Sequence, residues 1–324
     1  MKALVYTGKE SMEYRDFADP IVQANEQIVR VEKVGICGSD MHAYHGYDPR
    51  RPAPLILGHE AAGVVVGGDL DGTRVTINPL VVDPNAKVVQ AGRENIYDKR
   101  ELLSMPPREG AFAEYVSVPT RNLVEVPDAV PFEKAALAEP LAVSWHSARL
   151  GLEALHPSMD RKALVLGGGA IGLAGALCLR AMGIEDITVV EPTESRRAYL
   201  ESVCGEKAVA SGQGSFPLIF DAVGYAATRK VASELVEPGG VIVHVGLGDG
   251  EGGLDIRRMT LQEISFVGTY CYTAQDFRDT AAAIFDGKLG PLDWVEHRSL
   301  SDGSDAFRDL HNHQVAAPKI ILSP

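Results

Sequence analysis

Three residues of this chain have side chains suited to binding a metal ion: one cysteine, and a histidine followed directly by a glutamate. Cys37 is followed twenty-two positions later by His59 and Glu60. A thiolate, an imidazole and a carboxylate form a mixed ligand shell that suits Zn²⁺. Three protein ligands leave one coordination position open for water or an alcohol, as in catalytic zinc sites. The sequence therefore predicts a catalytic zinc site at these residues.

A glycine-rich segment further along the chain indicates a dinucleotide-binding turn. The run Gly167–Gly172 has the pattern Gly-x-Gly-x-x-Gly, follows a predicted strand and opens a predicted helix. The first glycine would make the tight turn, the second would let the backbone approach a pyrophosphate, and the third would permit close helix packing. The amides at the helix N-terminus would favour phosphates. The alternative is a glycine-rich turn that binds no ligand.

The choice of dinucleotide depends on the residue that follows the next strand. Glu191 occupies the place, about 20 positions beyond the glycines, where an acidic residue is expected. Its carboxylate would accept hydrogen bonds from ribose hydroxyls and repel a 2′-phosphate, which favours NAD over NADP. Arg196 and Arg197 are close in sequence and could hold a phosphate, so NADP stays open. The predicted cofactor-binding residues are Gly167, Gly169, Ala170, Ile171, Gly172, Glu191 and Arg196.

Composition excludes two classes of partner. Of the 324 residues, 45% are apolar and 23% are charged, as in ordinary soluble proteins with real cores. The net charge of −13 argues against nucleic acid, whose phosphates attract basic faces. No apolar run approaches the roughly 20 residues that span a bilayer, and the N-terminal apolar run is too short for a signal peptide. Four scattered cysteines predict a reduced, cytoplasmic protein.

Two patterns of secondary structure divide the chain. Before Pro127, short runs rich in β-branched residues predict a compact, mostly antiparallel β domain with few helices. From Lys162 onward, strands alternate with helices, which predicts a parallel sheet covered on both faces. The predicted strands are 27–34, 61–66, 73–77, 114–118, 122–126, 163–166, 187–190, 218–221, 241–245, 264–267 and 319–322, and the predicted helices are 132–150, 170–182, 194–204 and 277–285.

Four segments resemble those of the zinc-dependent medium-chain alcohol and polyol dehydrogenases. They are Gly35–His42, Leu57–Gly63, Ala138–Leu141 and Gly167–Gly172. The resemblance that they carry covers nearly the whole chain, in order. The resemblance is greatest to the sorbitol, L-threonine and sugar-acid branches, because Glu139 stands where ethanol-type enzymes carry a cysteine ligand. It implies an α/β fold with two domains. A GroES-like, mostly antiparallel β catalytic domain would comprise 1–140 and 275–324, and a Rossmann domain with a doubly wound parallel sheet would comprise 141–274.

The resemblance also implies which residues bind the metal and where the active site lies. Cys37 and His59 are expected to be zinc ligands. Glu60 and Glu139 are expected to be alternative or exchanging carboxylate ligands, and the sequence leaves open which of them is the third. The active site is expected in the cleft between the two domains, at the carboxyl ends of the parallel strands.

The resemblance also implies a proton relay on residues close to the cysteine. Ser39 would accept the proton of the substrate hydroxyl and pass it towards His42 and bulk water. Asp40 would orient the zinc ligands. A zinc-bound alkoxide would then release hydride to the nicotinamide of NAD.

The chain departs from the family at two places. Many relatives carry a second, structural zinc on four cysteines, and the corresponding positions here hold Asp83, Ala86, Val89 and Tyr97. A thiolate zinc site is therefore excluded in this lobe, which should be held by packing, and one zinc per chain is predicted. Residues 212–217 are also too few for the crossover helix usual in relatives, so that helix should be absent.

The substrate is the least determined feature of the sequence. A polyol, a sugar acid or another secondary alcohol is the expected class, and an L-threonine-type amino alcohol is the alternative. Arg50 and Arg51 could bind a carboxylate or phosphate at the pocket mouth, or could be ordinary charges of a solvated loop. A non-catalytic NAD(H) sensor and a zinc-free quinone or enoyl reductase are competing functions, which the complete relay disfavours. The resemblance implies a homodimer or homotetramer.

Overall fold

The structure, a computed structural model that describes residues 1–324, contains eighteen strands and ten α-helices joined by loops and short 3-10 turns. The strands are β1 (Lys2–Gly8), β2 (Ser11–Asp16), β3 (Glu26–Gly35), β4 (Leu55–Ile56), β5 (Glu60–Val66), β6 (Arg74–Ile77), β7 (Leu80–Val81), β8 (Glu101–Leu102), β9 (Tyr115–Pro119), β10 (Leu123–Glu125), β11 (Lys162–Leu166), β12 (Asp186–Val190), β13 (Ala208–Val209), β14 (Phe216–Asp221), β15 (Val236–His244), β16 (Ser265–Gly268), β17 (Val295–Ser299) and β18 (Lys319–Ser323). The helices are α1 (Gly38–Tyr44), α2 (Lys87–Gln90), α3 (Phe132–Ala136), α4 (Ala138–Ala154), α5 (Ala170–Ala181), α6 (Glu194–Ser202), α7 (Ala226–Leu235), α8 (Ile256–Leu261), α9 (Ala274–Phe285) and α10 (Gly303–His311).

Two units divide these elements between them. The first contains Met1–Glu139, Thr273–Gly287 and Val295–Pro324. The second contains Pro140–Tyr272 and Lys288–Trp294. No helix of the chain is both long enough and apolar enough to cross a membrane.

The main sheet of the first unit brings three strand ends together. Its seven strands follow the order β10-β6-β5-β3-β18-β17, with β9 also paired to β3, and β17 and β18 are the one parallel pair. Gly35, at the end of β3, lies opposite Glu60 at the start of β5. It also lies opposite Ile321 of β18. The residues that follow β3 therefore emerge beside the starts of β5 and β18.

Helix α1 is fixed by aromatic packing in the core of the first unit. Tyr44 at the end of α1 packs on Phe307 of α10 with ring centroids 5.3 Å apart. Phe307 in turn meets Phe112 edge-on at 5.9 Å. A Cβ at Gly58 would lie 2.6 Å from Phe112, and Gly58 has a φ of +90°, so this turn before β5 requires glycine. The core thus fixes both segments from which the predicted zinc ligands project.

The second unit is built on a six-stranded sheet whose paired strands all run parallel. Its strand order is β13-β12-β11-β14-β15-β16. In chain order this is the 3-2-1-4-5-6 arrangement of doubly wound nucleotide-binding folds, in which ligands bind at the carboxyl ends of the strands where the order reverses. That reversal falls between β11 and β14. The strand before the glycine run is therefore at the expected binding point.

Most predicted elements are present, and the differences have local causes. The predicted helix 132–150 is two helices, α3 and α4, with a break at Leu137. The strand pair β1–β2, the strand β17 and the helices α1, α7, α8 and α10 were not predicted. Most of these elements are short, so periodicity is a weak signal for them. In β1, residues 3–6 are all apolar and buried, so the strand shows no alternation. No helix lies between β13 and β14, as the short connection predicted.

Candidate active site and cofactor site

Cys37, His59 and Glu60 come together in the first unit. One ligand atom from each lies within 4.8 Å of those of the other two. Cys37 precedes α1 directly, and the β3–β5 register places Glu60 opposite Gly35. A Cβ at Gly35 would lie 2.1 Å from Glu60 Oε2, so glycine is required for the carboxylate to occupy this position. The three residues predicted from the sequence thus form one group, and it is the single group of three or more such side chains in the chain.

One buried, unpaired oxygen atom indicates that this group fits a zinc ion. Glu60 is fully buried, and its Oε2 has no hydrogen-bond partner. A buried carboxylate oxygen left unpaired costs free energy, and a cation at this position would remove that cost. The thiolate, imidazole and carboxylate donors match the ligand preferences of Zn²⁺. The residues present therefore fit the metal that the sequence predicted.

The His59 ring is held on both sides. Its Nδ1 lies 3.5 Å from Asp40 Oδ1 and 3.3 Å from Ser104 Oγ. Its Nε2 lies 3.5 Å from Ser39 Oγ. Asp40 is fully buried, and its carboxylate also accepts hydrogen bonds from the amides of Cys37 (3.0 Å) and Gly58 (3.3 Å). Asp40 thus fixes the two segments that carry the cysteine and the histidine.

The electrostatics of this group favour a positive charge. Burial acts to lower the pKa of His59, but the negative charges of Asp40 and Cys37 outweigh it and raise that pKa well above its ordinary value. Burial acts to raise the pKa of Asp40, but His59 and Arg51 outweigh it and lower that pKa. The same negative potential that would hold a proton on the imidazole would hold a divalent cation in its place.

A buried lysine from the last strand pairs with Glu60. Lys319 is 3% exposed, and its Nζ donates hydrogen bonds to Glu60 Oε1 (2.6 Å) and Ile36 O (2.9 Å). Burial acts to lower the pKa of Lys319, but the charges of Glu60, Cys37 and Glu139 outweigh it and raise that pKa. One oxygen of Glu60 is therefore engaged and the other is left for the metal position. The sequence analysis missed Lys319, and its only signal was a charged residue opening an otherwise apolar strand.

The second candidate carboxylate, Glu139, is placed differently from Glu60. It is the second residue of α4 and is 7% exposed. It lies close enough to raise the pKa of Lys319, but it is outside the group formed by Cys37, His59 and Glu60. Of the two alternatives, the structure brings Glu60 to the cysteine and histidine.

The remaining relay residues lie on α1. Ser39 Oγ lies near His59 Nε2, as described above, while His42 lies three residues later on the same helix and is exposed. His45, beyond them, pairs instead with His311 at 2.9 Å between Nε2 and Nδ1. Ser39 is thus placed beside the ligand group, and His42 is placed where water reaches it.

The two arginines that follow α1 have different surroundings. Both pair with the carboxylate of Asp48, Arg50 at 2.8 Å and Arg51 at 2.9 Å. Arg51 is only 2% exposed and also donates to the backbone oxygens of Ser104 and Ser39. The alternative that Arg51 is an ordinary charge of a solvated loop is therefore wrong, because its side chain is buried and donates to groups within the chain.

The glycine run in the second unit has the geometry expected of a dinucleotide turn. Gly167 has a φ of +100°, and a Cβ at Gly172 would lie 1.8 Å from Gly167 O, so both positions require glycine. Helix α5 begins at Ala170, and the amides of its first turn, including that of Ile171, have no partner within the helix. A Cβ at Gly169 would meet no atom within 4 Å. The turn therefore leaves an open approach to unpaired amides, which fits a phosphate group.

Glu191 joins the glycine run to the next strand. It follows β12 directly and is 5% exposed, with Oε2 accepting from the Gly168 amide (3.1 Å) and Oε1 from the Thr193 amide (2.9 Å). Arg197, on α6, donates to the backbone oxygen of Glu191 at 2.8 Å. Arg196, the neighbour predicted to contact the cofactor, is half-buried on α6 and makes no hydrogen bond or ion pair within the chain.

The lobe that lacks the four cysteines contacts the start of α9. Asp83, Ala86, Val89 and Tyr97 belong to no metal-ligating group, and the segment folds as β7, the short helix α2 and β8. Glu94 is buried in this lobe and accepts a hydrogen bond from the Ala274 amide at the start of α9. A carboxylate at a helix N-terminus is stabilised by the free amides there.

Comparison with known proteins assigns the family. A sequence model of the alcohol dehydrogenase GroES-like domain matches residues 23–128, and one of the zinc-binding dehydrogenase domain matches residues 170–286. The chain belongs to the zinc-type medium-chain alcohol dehydrogenases. This dehydrogenase is 30% identical to a probable diacetyl reductase of the (R)-acetoin-forming type from Saccharomyces cerevisiae, over 100% of the chain and 90% of the relative. It is 28% identical to the L-galactonate-5-dehydrogenase of Escherichia coli K12, over 92% of the chain and 91% of the relative.

A solved structure shares the whole fold of this dehydrogenase. An alcohol dehydrogenase from Escherichia coli CFT073, complexed with the cofactor NADH, superposes with a TM-score of 0.89 at 24% identity, over 100% of the chain and 99% of that structure. The predicted family, fold class and oxidoreductase class are confirmed, and the matching family is one of zinc-binding dehydrogenases.

Proposed function

We propose that this dehydrogenase oxidises a secondary alcohol of the polyol or sugar-acid class, with one zinc held by Cys37, His59 and Glu60 and with NAD as hydride acceptor. The observation that carries the proposal is the unpaired, buried Glu60 Oε2 within 4.8 Å of the thiol and imidazole ligand atoms. Bound zinc supplies Lewis acidity that favours loss of a hydroxyl proton, and bound NAD accepts the hydride.

The proton of the substrate hydroxyl would be transferred to water by two side chains of α1, Ser39 and His42. Ser39 Oγ is a hydroxyl beside the ligand group, and it can accept a proton from the substrate as it releases its own. His42 is three residues further on, so the two side chains share one face of the helix. Because His42 is exposed, its imidazole can pass the proton to water. Asp40 acts in this scheme through His59, by holding its Nδ1 side.

Selection of NAD over NADP would rest on the carboxylate of Glu191. Its two oxygens are fixed by the Gly168 and Thr193 amides, so its negative charge stays at the end of β12. Ribose hydroxyls can donate to that charge, and a 2′-phosphate would be repelled by it. Arg196, which has no partner in the chain, is the residue that would offset this repulsion, and we place it beside the adenosine.

The substrate class is supported by the relatives and by the site. The E. coli relative is named for a sugar acid, and the yeast relative for a reaction between a diketone and a hydroxyketone. Both names describe carbonyl or hydroxyl carbons within a chain that carries a second oxygen. At the site, Arg51 is buried and paired whereas Arg50 is exposed, so both a polyol and a sugar acid stay within the proposed class.

The test is a screen for NAD reduction by the zinc-loaded protein. The panel contains polyols, sugar acids, sugar phosphates, 2,3-butanediol and L-threonine, and formation of NADH is followed by absorbance. Reduction with a polyol or sugar acid, lost in Ser39→Ala and retained in Ser158→Ala, supports the proposal; Ser158 is an exposed serine of the second unit. Binding of both zinc and NAD without turnover of any panel member would favour the non-catalytic sensor instead.

A further inference from the structure

Ser104 has an unusual backbone at a fully buried position. Its φ is +67°, a left-handed conformation that costs free energy for a residue with a side chain, and none of its surface is exposed. Such a conformation persists only where neighbouring contacts fix it. The Ser104 hydroxyl lies 3.3 Å from His59 Nδ1. The strained residue is therefore in contact with a proposed zinc ligand.

Arg51 supplies the contacts that hold Ser104 in this conformation. Its Nε donates to Ser104 O at 2.9 Å, and its Nη2 lies 3.5 Å from Ser104 Oγ. Its Nη1 donates to Ser39 O at 3.2 Å and to Asp48 Oδ2 at 2.9 Å. The planar guanidinium can meet these acceptors in one fixed geometry, which a lysine cannot reproduce.

The two serines held by Arg51 stand at opposite nitrogens of one ring. Ser104 is next to His59 Nδ1, and Ser39 is next to His59 Nε2. Asp40 also faces Nδ1, but at the longer distance of 3.5 Å. Ser104 is thus the nearer partner of the nitrogen that points away from Ser39, and Arg51 spans both sides of the imidazole.

We propose that Ser104 and Arg51 are positioning residues for the zinc ligand His59. Arg51 fixes the left-handed turn, the turn aims the Ser104 hydroxyl at Nδ1, and this contact, together with Asp40, sets the ring orientation and leaves Nε2 for the metal. Groups that orient a metal-bound histidine tune the affinity of the site for its metal. The inference rests on the proposed function, because it takes His59 to be a zinc ligand.

Two substitutions at one position separate positioning from simple packing. Ser104→Ala removes the hydroxyl and keeps the cost of the left-handed backbone. Ser104→Gly removes the hydroxyl and also that cost, because glycine adopts a φ of +67° freely. The backbone control is Glu263→Gly, which relieves a φ of +51° at an exposed position in the second unit.

Zinc affinity is measured by competition with a chelator, and the geometry of the site by the visible spectrum of the Co²⁺-substituted protein. We expect both Ser104 variants to bind zinc about 10-fold more weakly, as is typical for loss of a group that orients a metal ligand. The cobalt spectrum should change in both. Metal-free Ser104→Gly should be more stable to heat than metal-free Ser104→Ala, and Glu263→Gly should leave zinc affinity and the spectrum unchanged.

Arg51→Lys tests whether the arginine acts through the serine. Zinc affinity should fall in this variant. Adding Ser104→Ala to it should lower zinc affinity by less than a further twofold, because the Ser104 hydroxyl is already no longer directed at His59 Nδ1. Full additivity of the two losses would overturn the role given to Arg51, and the Ser104 variants test the proposal on their own should Arg51→Lys not fold.

Failure of this inference is distinguishable from failure of the proposed function. If the wild-type protein binds zinc, His59→Ala abolishes binding, and both Ser104 variants keep wild-type affinity and spectrum, the positioning role alone is overturned. If His59→Ala binds zinc as tightly as wild type, the ligand assignment fails and the inference fails with it.

Discussion

Removal of the charge that faces Glu60 should separate stability from metal affinity. In Lys319→Met the carboxylate of Glu60 keeps its burial but loses its cation and the 2.6 Å hydrogen bond. Removing one partner of a buried ion pair costs about 3–5 kcal/mol. We expect the free energy of unfolding of the metal-free protein to fall by that amount. With zinc bound, the metal compensates Glu60, and the loss should be nearer the 1.5–3 kcal/mol typical of hydrogen bonds to charged groups.

The metal-free protein should lose more unfolding free energy than the zinc-bound protein, so Lys319→Met should bind zinc more tightly than wild type. A difference of about 1.4 kcal/mol corresponds to a tenfold lower dissociation constant. Urea unfolding with and without zinc gives both stabilities, and chelator competition gives the affinity independently. The matched control is Lys33→Met. Lys33 also links β3 to β18, through a 2.7 Å hydrogen bond to Ser323. It differs from Lys319 because it is half-buried and its partner in this bond is a hydroxyl, not a carboxylate.

The refuting result is a parallel fall of stability and zinc affinity in Lys319→Met. That outcome would mean that Lys319 holds Glu60 in ligating geometry and does not act mainly as its counter-charge. Lys319→Arg keeps the positive charge, so its zinc affinity should stay near that of wild type under the electrostatic account. The control variant should show equal stability losses with and without zinc.

Three further predictions concern the other parts of the chain. Cys37→Ala should abolish zinc binding and turnover while NAD binding, followed by calorimetry, stays near wild type; the control Cys204→Ala should keep both, and retained turnover in Cys37→Ala would contradict the ligand assignment. Glu191→Ala should relax the rejection of NADP, measured as the ratio of kcat/KM for NAD and NADP, and an unchanged ratio would remove Glu191 from this role. Burial acts to raise the pKa of Asp221, but hydrogen bonds from His244, backbone amides and a threonine hydroxyl outweigh it and lower that pKa. The carboxylate therefore stabilises the fold above its unfolded pKa of about 3.9, and this stability is lost as the pH falls through the lowered folded value. Asp221→Asn should have a lower free energy of unfolding at neutral pH than wild type, and that free energy should fall less on acidification. An equal fall on acidification in both proteins would exclude this contribution.

The ligand group could be predicted because its signal is local in sequence. Cys37 directly precedes a helix, and His59 and Glu60 are adjacent, so two short segments carry all three candidate ligands. The glycine run is local too, and its strand–turn–helix context follows from periodicity alone. The parallel sheet of the second unit follows from the alternation of strands and helices.

The residues that support the ligands could not be predicted, because they are distant in sequence from what they contact. Lys319 is 259 residues from Glu60, and Ser104 is 45 residues from His59. Neither belongs to a motif, and a lysine or serine is ordinary at an exposed position. What makes each of them informative is burial together with a specific polar partner. The burial of Arg51 could not be predicted for the same reason, since an arginine in a polar loop is expected in water.

The two buried carboxylates beside the candidate ligands differ in their partners, which bears on what the site can hold. The amides of Cys37 and Gly58 donate to the two oxygens of Asp40, so both oxygens are satisfied within the chain. Lys319 donates to Oε1 of Glu60, and Glu60 Oε2 has no partner. A site built only for packing would satisfy both oxygens from within, because an unpaired buried oxygen is costly. The unpaired oxygen of Glu60 lies where the three candidate ligand atoms converge, so a cation bound there would stabilise the fold.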